Sequence, residues 1–199
     1  MEIPDRDRIR PIASVASALP SGQCLPMRLP SPLPLELRDD DLILRAATLQ
    51  DLGLEQELSR VDDIVRWTSM PAYLSEDQAR QRIARACHQR AQGVLARFVV
   101  ERAGCSVGIA GARAGPDGSV EVSYALLASS RGVGNASRAA RGLAVWADGA
   151  GATAVTLMTF PGNTASQHTA VRAGFRREGL HHALVKGVEV ELLRFRWNG

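Results

Sequence analysis

The chain has 199 residues, 45% of them hydrophobic, with 24 Lys or Arg against 21 Asp or Glu and a net charge of +3. That composition fits one ordinary domain with a real core, and the interspersed charges exclude a nucleic-acid-binding stripe. No apolar run approaches membrane-spanning length, and Cys24, Cys87 and Cys105 lack paired spacing, which excludes a disulfide framework or zinc site and points to a reducing, cytoplasmic setting.

Seven of the ten prolines (Pro4, Pro11, Pro20, Pro26, Pro30, Pro32 and Pro34) precede residue 38. Such density removes backbone donors and predicts a disordered extension over residues 1–38, followed by a folded domain over 39–199. The small-residue stretch 12–19 is too short for a signal sequence. Leu42, Ile43 and Leu44 predict a strand, and Thr48 with Asp51 three residues later predicts a helix start. Ser75, Glu76, Asp77 and Gln78 form a capping box. The stripe of Ala79, Ile83, Ala86 and Cys87 then predicts a helix ending near Gly93. Strands over 95–101 and 106–113 flank a turn at Ala103 and Gly104, and a second turn over 115–118 leads into a strand over 120–127. A helix follows with Ala136, Ala140, Leu143 and Ala147 inward, stopping at Gly149 or Gly151. A strand over 154–159, a helix over 164–173 and antiparallel strands over 176–186 and 188–197 complete an α/β domain, a mixed sheet with helices on both faces.

The junction at residues 124–136, Y-A-L-L-A-S-S-R-G-V-G-N-A, carries the chemistry. A strand enters a glycine loop that opens onto a helix, so outward N–H groups and the helix N-terminus form an anion cradle suited to a pyrophosphate. A Walker loop is excluded because the only lysine, Lys186, lies far from any glycine loop. A dinucleotide fingerprint is weak, since Ser137 occupies the third glycine position and residues 149–160 contain no acidic residue. Arg131, Gly134 and Ala136 instead satisfy Q/R-x-x-G-x-G/A at every specified position.

That pattern resembles motif A of the GNAT acetyltransferases, and the resemblance extends further. Glu121, Val122, Ser123, Tyr124, Ala125 and Leu126 are similar to the strand preceding motif A in the ribosomal-protein N-terminal acetyltransferase (Rim) branch. Asn163, Thr164, Ala165 and Ser166, followed by residues 173–179 (A-G-F-R-R-E-G), resemble that branch's N-x-x-S…GF-x-x-E-G signature. With residues 42–45 and 66–68, the similarity covers roughly residues 40–199 in family order.

The resemblance implies a single GNAT domain with a mostly antiparallel mixed sheet, splayed between the strands that carry Tyr124 and Phe160. It implies acetyl-coenzyme A as donor, no metal, and a monomer or homodimer. The pantetheine arm would meet main-chain groups of Leu126 and Leu127, with an amide there serving the thioester oxygen. The pyrophosphate would rest on Arg131, Gly132, Val133, Gly134, Asn135 and Ala136, although Arg131 has the alternative of pairing with an exposed carboxylate. Asn163 would contact the pantetheine arm as well as cap its helix. Many GNAT enzymes place an acid tyrosine where this chain has Ala170, which makes Ser166 the candidate donor to the departing thiolate. Glu121 is the preferred base and Glu178 the other available carboxylate. Trp67 either walls the acceptor pocket or packs the early helices, and the histidines form no metal set.

The implied reaction is acetyl transfer to a primary amine by direct attack in a ternary complex. A protein or peptide N-terminus is the first candidate acceptor, because an α-amino group with a pKa of about 7.7–8.0 needs less help than a lysine near 10.4. A small-molecule amine, such as an aminoglycoside or other metabolite, is the alternative. A non-catalytic acyl-CoA-binding module is a reading from a different class.

Overall fold

A computed structural model of the protein describes residues 27–185 and 187–199. Among the described residues, eight strands form one sheet in the order β1-β2-β3-β4-β5-β6-β8-β7. They are β1 (Glu36–Asp39), β2 (Leu42–Ala46), β3 (Leu95–Arg102), β4 (Cys105–Ala114), β5 (Val120–Leu126), β6 (Val155–Thr159), β7 (Phe175–Val185) and β8 (Val188–Trp197). Every neighbouring pair is antiparallel except β5 with β6.

That exception positions the site. Parallel pairing holds Val120 to Val155, Glu121 to Thr156 and Val122 to Leu157, and then stops. Beyond it, β5 stays bonded to β4 and β6 stays bonded to β8, so residues 123–126 and 158–159 diverge and leave a gap within the sheet.

Five α-helices of the described residues cover the two faces: α1 (Leu52–Leu58), α2 (Asp62–Trp67), α3 (Glu76–Ala91), α4 (Asn135–Gly149) and α5 (Thr164–Ala173). Alternation along each strand sends neighbouring residues to opposite faces. Val122 and Leu126 of β5 join the core built with Ala140, Leu143 and Ala147 of α4 and Ala170 and Ala173 of α5. Ala125 joins a second core with Leu54 and Leu58 of α1, Ile64 of α2 and Ala79 of α3. The capping box of α3 forms as its sequence predicts: Ser75 Oγ accepts from the Gln78 N–H, and the Gln78 side chain accepts from the Ser75 N–H. Thr48 and Asp51 form the same box around a single 3-10 turn, and α1 follows directly.

The proline-rich segment departs from expectation. Residues 1–26 lie outside the described residues, as does Lys186. From Leu29 onward, however, the segment packs on the domain instead of forming part of a disordered extension. Leu29 is buried, its N–H donates to the Gly93 carbonyl, and Leu33 and Leu37 pack against the same core. Arg90 donates to the Pro34 carbonyl, and β1 pairs with β2 across four residue pairs. Proline forbids helix and interior strands, but it does not forbid an extended edge whose leucines reach a core. The domain therefore begins before residue 39.

Candidate active site

A cleft of about 750 Å³ runs through the gap between β5 and β6. Its walls come from α2, α3, β3 to β6, the loop after β5, the N-terminal turn of α4, and α5.

The glycine loop closes one end. Gly134, the N-cap of α4, has φ +88°, and no side chain caps this terminus. The first-turn N–H groups of a 15-residue helix therefore face the cleft with the partial positive charge of the helix N-terminus. A side chain at Gly132 would project into open space and one at Gly134 would reach only Ser137 Oγ at 3.9 Å, so the loop leaves room for a ligand. Val133 is exposed, and Ala136 is half-buried in the cleft wall. Asn135 is buried: its Nδ2 donates to the Ser130 carbonyl at 3.0 Å and its Oδ1 accepts from Arg102 at 3.3 Å. Its side chain fastens the loop, which leaves its backbone for a ligand.

Two residues differ from what the resemblance implied. The Arg131 guanidinium is held by the Leu126 carbonyl, at 3.0 and 2.8 Å, and by both carboxylate oxygens of Asp63 on α2. The carboxylate alternative is therefore the partner seen here. Leu127 has both main-chain groups occupied, its N–H by the Val107 carbonyl and its carbonyl by the Ser130 N–H. Leu127 thus anchors the loop, whereas the Leu126 carbonyl lies at the open side of the gap. Both leucine side chains are core.

On the α5 side of the gap, Asn163 caps the helix by accepting from the Ser166 N–H at 3.0 Å. The Ser166 hydroxyl, one turn into α5, lies 2.9 Å from the Tyr124 hydroxyl of β5. Sequence reasoning had not paired these residues. Tyr124 follows Glu121 by three positions and so lies on the opposite face of β5, where it meets Ser166 and Thr169 of α5. Burial raises the Tyr124 pKa, opposed by hydrogen bonds from Ser166 and Thr169. The phenol keeps its proton and remains a donor.

Glu121 faces the opposite side of β5, toward the α3 side, with Arg113 of β4 as its cross-strand neighbour. Burial raises its pKa, and the positive charges of Arg113 and His181 partly offset that rise. Glu178 lies outside the cleft lining and pairs with Arg194 at 2.9 Å and Arg196 at 3.6 Å. Of the two candidate carboxylates, only Glu121 lines the cleft. Trp67 lines the cleft with its ring 5.6 Å from that of Phe160, so it both packs and forms wall. His168 is exposed at the rim.

Residues 41–176 match the family described as acetyltransferase (GNAT) domain. The chain belongs to the GNAT acetyltransferase family. Its GNAT fold is shared by RimL, the ribosomal L7/L12 α-N-protein acetyltransferase solved with coenzyme A, at a TM-score of 0.72 and 18% identity over 81% of this chain and 96% of that one. The microcin C7 self-immunity acetyltransferase MccE, solved with acetyl-CoA and AMP, gives a TM-score of 0.72 and 16% identity over 79% and 92% of the two chains. A Salmonella typhimurium acetyltransferase that modifies the N-terminal serine of ribosomal protein L7/L12 gives 0.69 and 18% over 79% and 95%. At these identities the likeness establishes a common GNAT fold. No curated protein matches the sequence significantly. Among the described residues, no helix is long and apolar enough to cross a membrane, and no group of three or more His, Cys, Asp or Glu is placed to hold a metal ion.

Proposed function

We propose that the protein transfers the acetyl group of acetyl-CoA to the α-amine of a peptide or protein, by direct attack in a ternary complex. The observation that carries this reading is the division of polar groups across the gap in the sheet. Glu121 stands on one side of β5, and the Ser166 and Tyr124 hydroxyls stand on the other. An amine approaching on the Glu121 side would attack a thioester lying in the gap, while the sulfur would leave on the α5 side.

Each group then has a task. The amides of residues 132–136 hold the pyrophosphate at the uncapped N-terminus of α4. The Leu126 main chain pairs with the pantetheine arm once Arg131 releases its carbonyl. Glu121 accepts the proton that the amine loses on attack, for which a carboxylate with a raised pKa is better matched than an ordinary one. Ser166 donates to the sulfur as negative charge develops there. Its hydroxyl can give that hydrogen bond while accepting one from Tyr124, which stays protonated. The pair stabilises the leaving thiolate without surrendering a proton to it. The unpaired, exposed Cys87 and Cys105 support a reducing, cytoplasmic setting for this chemistry.

The test is thiol release from acetyl-CoA with a panel of N-terminal peptides and small amines, run beside calorimetry of coenzyme binding. Peptide-dependent thiol release is expected. Coenzyme binding without release for any amine would make the protein a binding module. Release with small amines alone would overturn the peptide acceptor.

A further inference from the structure

The acceptor side of the cleft carries more positive charge than acetyl transfer needs. Register places Arg97 of β3 opposite Gly111, Gly111 opposite Ser123, and Arg113 opposite Glu121. Cross-strand partners share a face, so Arg97, Arg113 and Glu121 stand together on three adjacent strands. Arg82 reaches the same wall from α3, and all four side chains line the cleft.

Their counter-charges do not balance. Glu55 of α1 is only 2% exposed and is shared, with Arg97 at 2.7 Å and Arg82 at 3.2 Å. One carboxylate therefore serves two guanidinium groups; among the described residues lining the cleft the other acids are Glu121 and Asp63, and Asp63 is already paired with Arg131. Arg113 is exposed, and among the described residues no hydrogen bond or close ion pair engages it. Burial and the like charges of Arg82 and Arg113 both work against the charge on Arg97, with Glu55 opposing them. An incoming anion would relieve that repulsion.

This charge is poorly placed for the pyrophosphate. Leu126 lies five positions along β5 from Glu121, a rise of about 17 Å, and the glycine loop lies beyond Leu126. Arg113, by contrast, is a cross-strand neighbour of Glu121, within about 5 Å at Cβ. Arg97 is one row further along the strands. Those separations match the reach of a side chain one or two residues after a reacting α-amine.

We propose that the acceptor carries an anionic group beside its reactive amine, read by Arg113 and Arg97, and that it is a peptide with Asp or Glu at its second or third position. This inference rests on the acetyl-transfer reading above. The test compares two peptides that differ only by Asp or Asn at the second position, assayed by thiol release with wild type, Arg113→Gln and Arg97→Gln. The wild type should favour the Asp peptide in kcat/KM by about tenfold, as expected for a charge-assisted contact, and 0.5 M salt should shrink that ratio. Arg113→Gln should bring the ratio close to one. Because Arg113 also neighbours the base, each variant's own rate is less informative than its ratio between peptides, in which any effect on the base cancels. Arg97→Gln, read by the same ratio, keeps the test independent of any one variant's folding. Equal turnover of both peptides by the wild type, or a preference that survives both substitutions, overturns this inference and leaves acetyl transfer standing. Coenzyme binding without thiol release from either peptide or from any other amine overturns the transfer reading, and this inference with it.

Discussion

Arg131 and Asp63 form a two-pronged ion pair across the mouth of the cleft, and the same guanidinium holds the Leu126 carbonyl at 2.8 and 3.0 Å. One side chain thus ties the loop after β5 to α2 and occupies the carbonyl that a pantetheine arm would need. Both partners are partly exposed, so the pair is worth about 0.2–1 kcal/mol. Asp63→Ala should therefore tighten acetyl-CoA by roughly 1.5- to 5-fold, mainly through faster association, which stopped-flow binding would measure. Weaker binding would show that Asp63 supports the bound state instead.

The Tyr124 and Ser166 hydroxyls should act as a unit. Ser166→Ala and Tyr124→Phe should each lower kcat by about tenfold or more while the Kd for coenzyme holds, since the contact to sulfur strengthens in the transition state. The double variant should be no worse than the more damaging single one. Steady-state kinetics alongside thermal melts would check this. Wild-type kcat in a well-folded Ser166→Ala protein would reduce Ser166 to a helix residue.

Glu121 links activity and stability with opposite signs. Its pKa is raised by burial in the folded state, so the charged carboxylate destabilises the fold at any pH above that raised value. The sign follows from proton uptake: a raised folded pKa gives stability at low pH that is lost as pH rises through it. Glu121→Gln should therefore melt higher than wild type at pH 7, with the difference vanishing below the ordinary glutamate range. Its loss in kcat/KM should shrink at high pH, where solvent has already deprotonated the amine. Melting curves and rate profiles over the same pH series would check both signs.

Gly134 sits at φ +88°, a left-handed conformation that costs a side-chain-bearing residue about 1–2 kcal/mol. Gly134→Ala should lower Tm by a few degrees and weaken coenzyme binding, because the cradle is backbone, whereas Arg131→Ala, which frees the Leu126 carbonyl, should not weaken it. Calorimetry on both variants would rank them.

Deleting residues 1–35 should destabilise the domain by at least the burial of Leu29, about 1.5–3 kcal/mol for a leucine, with the edge contacts of the segment added. Denaturant titrations of the truncated and full chains would measure the loss.

Local signals carried most of the elements. Helix α5 runs from Thr164 to Ala173 as expected, because Asn163 supplies a cap and Gly174, at φ +102°, supplies the left-handed turn that ends it. Helix α3 follows from its capping box in the same way. Strand β1 was hidden because proline density argues against strands, and only an edge position reconciles the two. The site was legible as a set of motif residues but not as a set of partners. Ser166 meets Tyr124 across 42 positions and Arg131 meets Asp63 across 68, separations at which no periodicity operates. Glu55, Arg82 and Arg97 were missed for the same reason, since two helices and a strand bring them together only in the fold.

The early end of pairing between β5 and β6 leaves two unpaired strand rims in the interior of the sheet. Rims of this kind are templates for illicit strand pairing, and most proteins blunt them with charge, bulges or proline. Here the rim at residues 123–126 reads S-Y-A-L, with no charge or proline of its own, and Arg131 covers only its Leu126 carbonyl. On the proposed reading, an acyl donor bound there acts as a surrogate strand that seals the breach. A cell well supplied with the donor would then keep the protein soluble as well as active, through the ordinary mass-action stabilisation of a ligand that binds only the folded form. Metabolic starvation would expose the seam, so donor supply would govern the lifetime of the enzyme as well as its turnover.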